Sequence, residues 1–123
     1  MTIAYWCVLV LVFWPPMLSG MAKSGGFDNT RPRESLAGYT GWRQRANWAQ
    51  QNAFENFAPF AAAVIIGHLT GVPQGTLDAL ALAYVGLRVG HGACYIANLG
   101  ALRSLMYMGG LACIVAIFVI GAR

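Results

Sequence analysis

From Thr2 to Met21 the chain carries no charge, and three further apolar stretches of comparable length follow it. A helix of ~20 apolar residues spans the ~30 Å hydrocarbon core of a bilayer. The composition agrees: 58% of residues are hydrophobic and 10% charged, with a mean hydropathy of +0.56. That profile is a membrane protein's more than a soluble domain's. A chain of 123 residues holds four such spans and their connections and no extra domain. The prediction is an all-α integral membrane protein with one domain over 1–123, helices at about 2–21, 41–70, 76–97 and 103–120, and a loop at about 22–40.

Two of the apolar stretches carry polar residues, and these are not scattered. In the second, Arg45, Trp48, Asn52, Glu55 and Pro59 follow spacings of three and four residues, so a helix sets them on one stripe. In the third, Tyr84, Arg88, His91 and Tyr95 do the same. An ionisable side chain at hydrocarbon depth costs ~3 kcal/mol or more, so it faces protein, finds a partner and marks a functional site by default. Glu55 and Arg88 are the expected partners, a bidentate pair with guanidinium donors left over for a ligand carboxylate. A structural ion pair that only fixes helix packing is the simpler reading of the same residues.

The remaining residues exclude several classes. Lys23, Arg31, Arg33, Arg43 and Arg45 account for most of the net charge of +4 and gather in or beside one connection, as the positive-inside rule places cytoplasmic loops. No aromatic-interleaved basic patch suggests nucleic acid. Cys7, Cys94 and Cys113 lie in separate apolar segments without metal-ligand spacing, so neither zinc nor a disulfide framework is indicated. No phosphate loop, nucleophile elbow or carboxylate pair for hydrolysis is present. Pro15 and Pro16 are expected to kink or end the inner part of the first helix. A cytoplasmic 22–40 loop puts both termini outside the cytoplasm, against the lone charge of Arg123.

The two stripes together resemble the MAPEG family, the membrane-associated proteins in eicosanoid and glutathione metabolism, and its bacterial members in particular. The similar parts are R-A-x(5)-N-x-x-E-N-x-x-P-F, at Arg45, Ala46, Asn52, Glu55, Asn56, Pro59 and Phe60, and R-x-x-H-x-x-x-Y, at Arg88, His91 and Tyr95. Either motif alone is a weak match; both, in order on consecutive helices, are specific. The resemblance implies a four-helix bundle assembled as a homotrimer in a bacterial inner membrane, holding glutathione between subunits near the cytoplasmic face.

By position, Arg45, Asn52, Glu55, Arg88, His91 and Tyr95 become candidate glutathione contacts. Arg103, near the start of the fourth helix, becomes the candidate for stabilising the thiolate. The implied activity is conjugation of glutathione or a related thiol to a lipophilic electrophile, or reduction of a lipid peroxide. Trp48 stands where the glutathione-using animal members place an Arg, so Arg45 takes that part or the site takes another ligand.

Two rival readings share the four-helix layout. One is a non-enzymatic, lipid-binding member of the same fold. The other is a small multidrug exporter, which carries its membrane Glu in the first helix; here that helix has no ionisable group.

Overall fold

The computed structural model describes residues 1–123 and contains five helices and no strand: α1 (Ile3–Lys23), α2 (Pro32–Ala37), α3 (Gly41–Leu69), α4 (Gln74–Ile96) and α5 (Gly100–Gly121). The helix that opens the chain starts at an extended Thr2, whose hydroxyl accepts from the Tyr5 amide at 3.3 Å. It does not end at its prolines. α1 continues through Pro15 and Pro16 to Lys23, with Pro15, Leu18, Ser19 and Ala22 buried against the neighbouring helices. Packing on both sides of the missing donors holds the backbone that proline alone would release.

The long connection is more ordered than its composition predicts. Pro32 at the first turn and Glu34 one turn in are helix-start residues, and they open the short α2. Arg43 ties the loop down: its Nε donates to Ala22 O at 2.7 Å, its Nη2 to Gly26 O at 2.6 Å, and its guanidinium lies 3.7 Å from the Tyr39 ring centre. One arginine therefore caps the last turn of α1 and pins the loop that follows.

The four long helices alternate in direction, and cross-links at their ends show which ends meet. At one end, the Ala4 amide donates to Asp78 Oδ1 at 2.8 Å, joining the starts of α1 and α4. At the other, Arg45 Nε donates to Ile96 O at 2.9 Å, joining the start of α3 to the last turn of α4. Lys23, Arg31, Arg33, Arg43, Arg45 and Arg103 all lie at this second end.

Small residues set the spacing between helices. α3 buries Ala46, Ala49, Ala53, Ala63 and Gly67 along one face, so its backbone approaches α1 and α4 closely. Gly92 of α4 faces Trp14 of α1, where a Cβ would lie 2.7 Å from the indole ring. The core is centred on Tyr84 and Phe60, stacked with ring centres 4.1 Å apart, among Leu11, Val64, Leu77, Ala81 and Ile117.

Outward faces are apolar as well: Phe13 is 59% and Leu105 68% exposed, and Val115, Phe118 and Val119 join them. That pattern suits a lipid solvent. By length and composition α1, α4 and α5 are able to cross a membrane. α3, at 29 residues, has the length and not the composition, because Arg43, Arg45, Glu55 and several amides lie on it.

Candidate functional site

The two polar stripes have different fates in the fold. On α4, Tyr84, Arg88 and His91 form the buried face itself, and Tyr95 continues it half-buried. On α3 the buried face is Ala46, Ala49, Ala53 and Phe60, one residue out of step with the polar stripe. One residue is ~100° of rotation, so Arg45, Trp48, Asn52, Glu55 and Pro59 run along the flank of α3. Asn52 and Arg45 turn towards α4; Trp48, Glu55 and Pro59 are exposed.

The expected pair of Glu55 and Arg88 is therefore absent within the chain. The only ion pair is Arg31 with Glu34, at 3.7 Å in the polar loop. Arg88 instead donates from Nη2 to Asn52 Oδ1 at 2.6 Å. Asn52, a turn nearer the start of α3, lies on the side that meets α4, and Glu55 three residues on is rotated out of reach. Asn56 Nδ2 steadies Asn52 by donating to its backbone oxygen at 2.9 Å and to its Oδ1 at 3.3 Å.

Above this pair, towards the basic end, an open recess of about 360 Å³ lies between α3, α4 and α5. Asn52 contributes from α3, His91 and Tyr95 from α4, and Arg103, Ser104, Tyr107 and Met108 from α5. The Arg103 guanidinium sits over the Tyr95 ring, 4.4 Å from its centre, a cation–π contact that holds the charge at the wall of the recess. His91 lies edge-on to Tyr95 at 5.7 Å and 6.3 Å from the Tyr107 ring. It is 3% exposed, and its Nδ1 has no hydrogen-bond partner.

No acid lines the recess. One guanidinium borders it directly and a second reaches it through Asn52, so its field favours an anion, and the amide, imidazole and hydroxyls supply fixed hydrogen-bonding groups. Of the residues singled out from the sequence, Asn52, His91, Tyr95 and Arg103 meet at this recess. Arg88 acts from beneath it. Arg45 stands outside the lining, committed to the Ile96 carbonyl. Trp48, 6.4 Å from Tyr95 ring to ring, screens the flank.

Ser104 and Tyr107 escaped the sequence reading. Tyr107 is four residues beyond Arg103, the same one-face spacing that revealed the other stripes, but an aromatic in an apolar helix has no distinguishing signal until its neighbours are known.

The comparison that decides the family covers nearly every residue: the model of the MAPEG family matches residues 2–123. The chain belongs to the MAPEG family. No curated protein and no solved structure matches it. MAPEG membership, with α1, α4 and α5 able to span, makes this an integral membrane protein. It also accounts for the two motifs: in this MAPEG chain the α4 motif builds the wall of the polar recess, and the α3 motif delivers Asn52 to it while leaving Glu55 on an outer flank.

Proposed function

We propose that this protein is a membrane-bound transferase that activates glutathione, or a thiol like it, and adds it to lipophilic electrophiles. The observation that carries the reading is the acid-free recess with Arg103 fixed over Tyr95 at its rim. A free thiol has a pKa near ~8.5 and is mostly protonated at neutral pH; a guanidinium beside it favours the thiolate, which is the nucleophile. Asn52, His91 and Tyr95 bind the polar arms of the tripeptide, and Arg88 fixes Asn52 from below. The thiol proton leaves to water, the thiolate sulfur forms a bond to the electrophilic carbon, and the bond to the leaving group breaks. The electrophile arrives from the lipid through the apolar outer faces.

Glu55 fits this reading through assembly. A carboxylate exposed at hydrocarbon depth needs a partner from another molecule. In a homotrimer of four-helix bundles, Glu55 of one subunit meets the glutathione ammonium, or a cation of the next subunit, at the subunit boundary. In this arrangement α3 is the fourth span, shielded by its neighbours despite its polar flank. The basic end faces the cytoplasm, as the positive-inside rule requires, and both termini face away from it.

Rapid mixing of glutathione with the detergent-purified protein, followed by ultraviolet thiolate absorbance, tests the mechanism. A stoichiometric absorbance rise is expected in the wild type. Arg103→Ala keeps the assembly, loses the rise and lowers conjugation ~100-fold or more, the scale of a lost electrostatic stabiliser. Undiminished conjugation by that variant removes Arg103 from the mechanism.

One observation favours a second reading, a lipid-binding role without thiol chemistry: a wholly apolar groove of about 380 Å³ between α1 and α3, lined by Tyr5, Val8, Val12 and Ile65. Calorimetric heat with a fatty acid and none with glutathione selects that reading.

A further inference from the structure

The whole net charge of the protein sits at one end. Lys23, Arg31, Arg33, Arg43, Arg45 and Arg103 are accompanied there only by Asp28 and Glu34, while Arg88 and Arg123 balance Glu55 and Asp78 over the rest of the chain. An excess of this kind in a sequence is an orientation signal. The fold adds the depth at which these cations are held and which of them are free.

Their depth follows from α1. The uncharged run from Thr2 to Met21 is ~30 Å long as a helix, the thickness of the hydrocarbon core, so Lys23 falls in the headgroup layer. The loop beyond it turns back. Arg43 Nη2 and the Tyr39 hydroxyl both donate to Gly26 O, at 2.6 and 2.7 Å, and draw the chain against the end of α1. α2 folds down further: Leu36 O accepts from Asn47 Nδ2 at 3.4 Å, nearly two turns into α3, and the buried Asn47 accepts in turn from Gln50 at 3.1 Å. The loop cations are thereby kept beside the last turns of α1, level with the bilayer surface.

Arg43 and Arg45 are committed to backbone carbonyls and Arg103 to the Tyr95 ring. Three cations stay available. Arg33 is exposed and joins no ion pair, and Arg31 meets Glu34 only at 3.7 Å, with side chains 72% and 77% exposed, a pair that solvent screens. Lys23 lies 4.3 Å from the Phe27 ring centre, a cation–π contact that holds the ammonium and leaves its N–H donors for another acceptor. Asp28 is turned to Thr30. Beneath the loop, Phe13, Met17 and Met21 are exposed at four-residue spacing, an apolar strip along α1 that leads up to Lys23.

We propose that this loop is a docking site for an acidic phospholipid, with the phosphate and headgroup on Lys23, Arg31 and Arg33 and the acyl chains along the Phe13, Met17 and Met21 strip. A zwitterionic lipid brings an ammonium of its own to the same cations, so the surface selects by headgroup charge. Bound in this way, the lipid ties the folded-back loop to α1. The site rests on membrane placement and loop geometry and is independent of the transferase reading.

The test is native mass spectrometry of the detergent-purified protein with phosphatidylglycerol and phosphatidylcholine of identical acyl chains. Wild type is compared with Arg33→Gln, with the triple variant Lys23→Gln/Arg31→Gln/Arg33→Gln, and with Arg123→Gln at the opposite end. We expect wild type and Arg123→Gln to retain phosphatidylglycerol ~10-fold or more over phosphatidylcholine, Arg33→Gln to lower the preference ~3-fold, and the triple variant to lose it with little change in Tm. Equal retention of both lipids by wild type, as when a second copy covers the loop, overturns the proposal. So does an undiminished preference in Arg33→Gln or in the triple variant. Displacement of phosphatidylglycerol by equimolar inorganic phosphate marks a site for soluble anions and overturns it as well.

Discussion

Arg88 of α4 and Asn52 of α3 are joined by a 2.6 Å hydrogen bond from the guanidinium to the amide oxygen, and this single bond connects the buried charge of the protein to its polar recess. A charged donor to a neutral acceptor is worth ~1.5–3 kcal/mol when buried. Asn52→Leu removes the acceptor and strands the donor. We expect it to lower stability by about 2 kcal/mol and to weaken thiol binding. In a double-mutant cycle with Arg88→Met, measured by thermal unfolding in detergent, the two losses are non-additive by 1 kcal/mol or more. Additive losses would show that the bond carries no energy.

Two glycines of α4 separate packing from helix propensity. A Cβ on Gly92 would lie 2.7 Å from the Trp14 ring, whereas nothing stands within 4 Å of a Cβ on Gly86. Gly92→Ala is expected to destabilise by ~1–3 kcal/mol through overpacking. Gly86→Ala is expected to be neutral or stabilising by up to ~1 kcal/mol, because alanine favours the helix. Unfolding midpoints of the two variants check the contrast, and equal destabilisation of both refutes the close approach of Trp14.

Arg45 is expected to act through the end of α4. Its Nε satisfies the Ile96 carbonyl, one of the orphan acceptors of the last turn, next to Tyr95 in sequence. Arg45→Ala frays this turn at a cost of about 1 kcal/mol, seen as faster amide hydrogen exchange over residues 95–99. Arg45→Lys recovers only part of the protection, since one ammonium lacks the planar donors of guanidinium. Unchanged exchange at that turn would leave Arg45 free for direct ligand contact.

The polar loop carries a pH-dependent element of its own. Hydrogen bonds from the Thr30 hydroxyl and amide, at 2.6 and 2.9 Å, hold the Asp28 carboxyl below its ordinary value of 3.8. A depressed carboxylate contributes order that is present above the ordinary value and is lost as pH falls through the lower folded one. Loop exchange rates corrected for intrinsic chemistry are therefore expected to be flat down to about pH 4 and to rise below it. In Asp28→Asn, which keeps the acceptor and loses the charge, that rise disappears.

Much of this architecture is written in local pattern. The apolar lengths place the long helices of the fold, and three-and-four spacing identifies both polar stripes. The boundaries moved where a cap decided them: α5 begins at Gly100 because Asn98 turns the chain with φ 62°, and α1 persists past its prolines because its last turns are packed and capped by Arg43. The short α2 was visible only as Pro32 and Glu34 inside a stretch that otherwise reads as turns.

Sequence by itself determined that the chain is helical, that it belongs in lipid, and that polar residues share one face on each of two helices. Those properties depend on residue order at the scale of a turn or a span. Which polar groups touch was decided only in three dimensions. The rotation of α3 about its axis is set by the small buried residues Ala46, Ala49 and Ala53, which pack against neighbours far away in the chain. That rotation turns Asn52 to Arg88 and Glu55 outward, and a difference of ~60° around one helix separates the hydrogen bond that forms from the ion pair that does not.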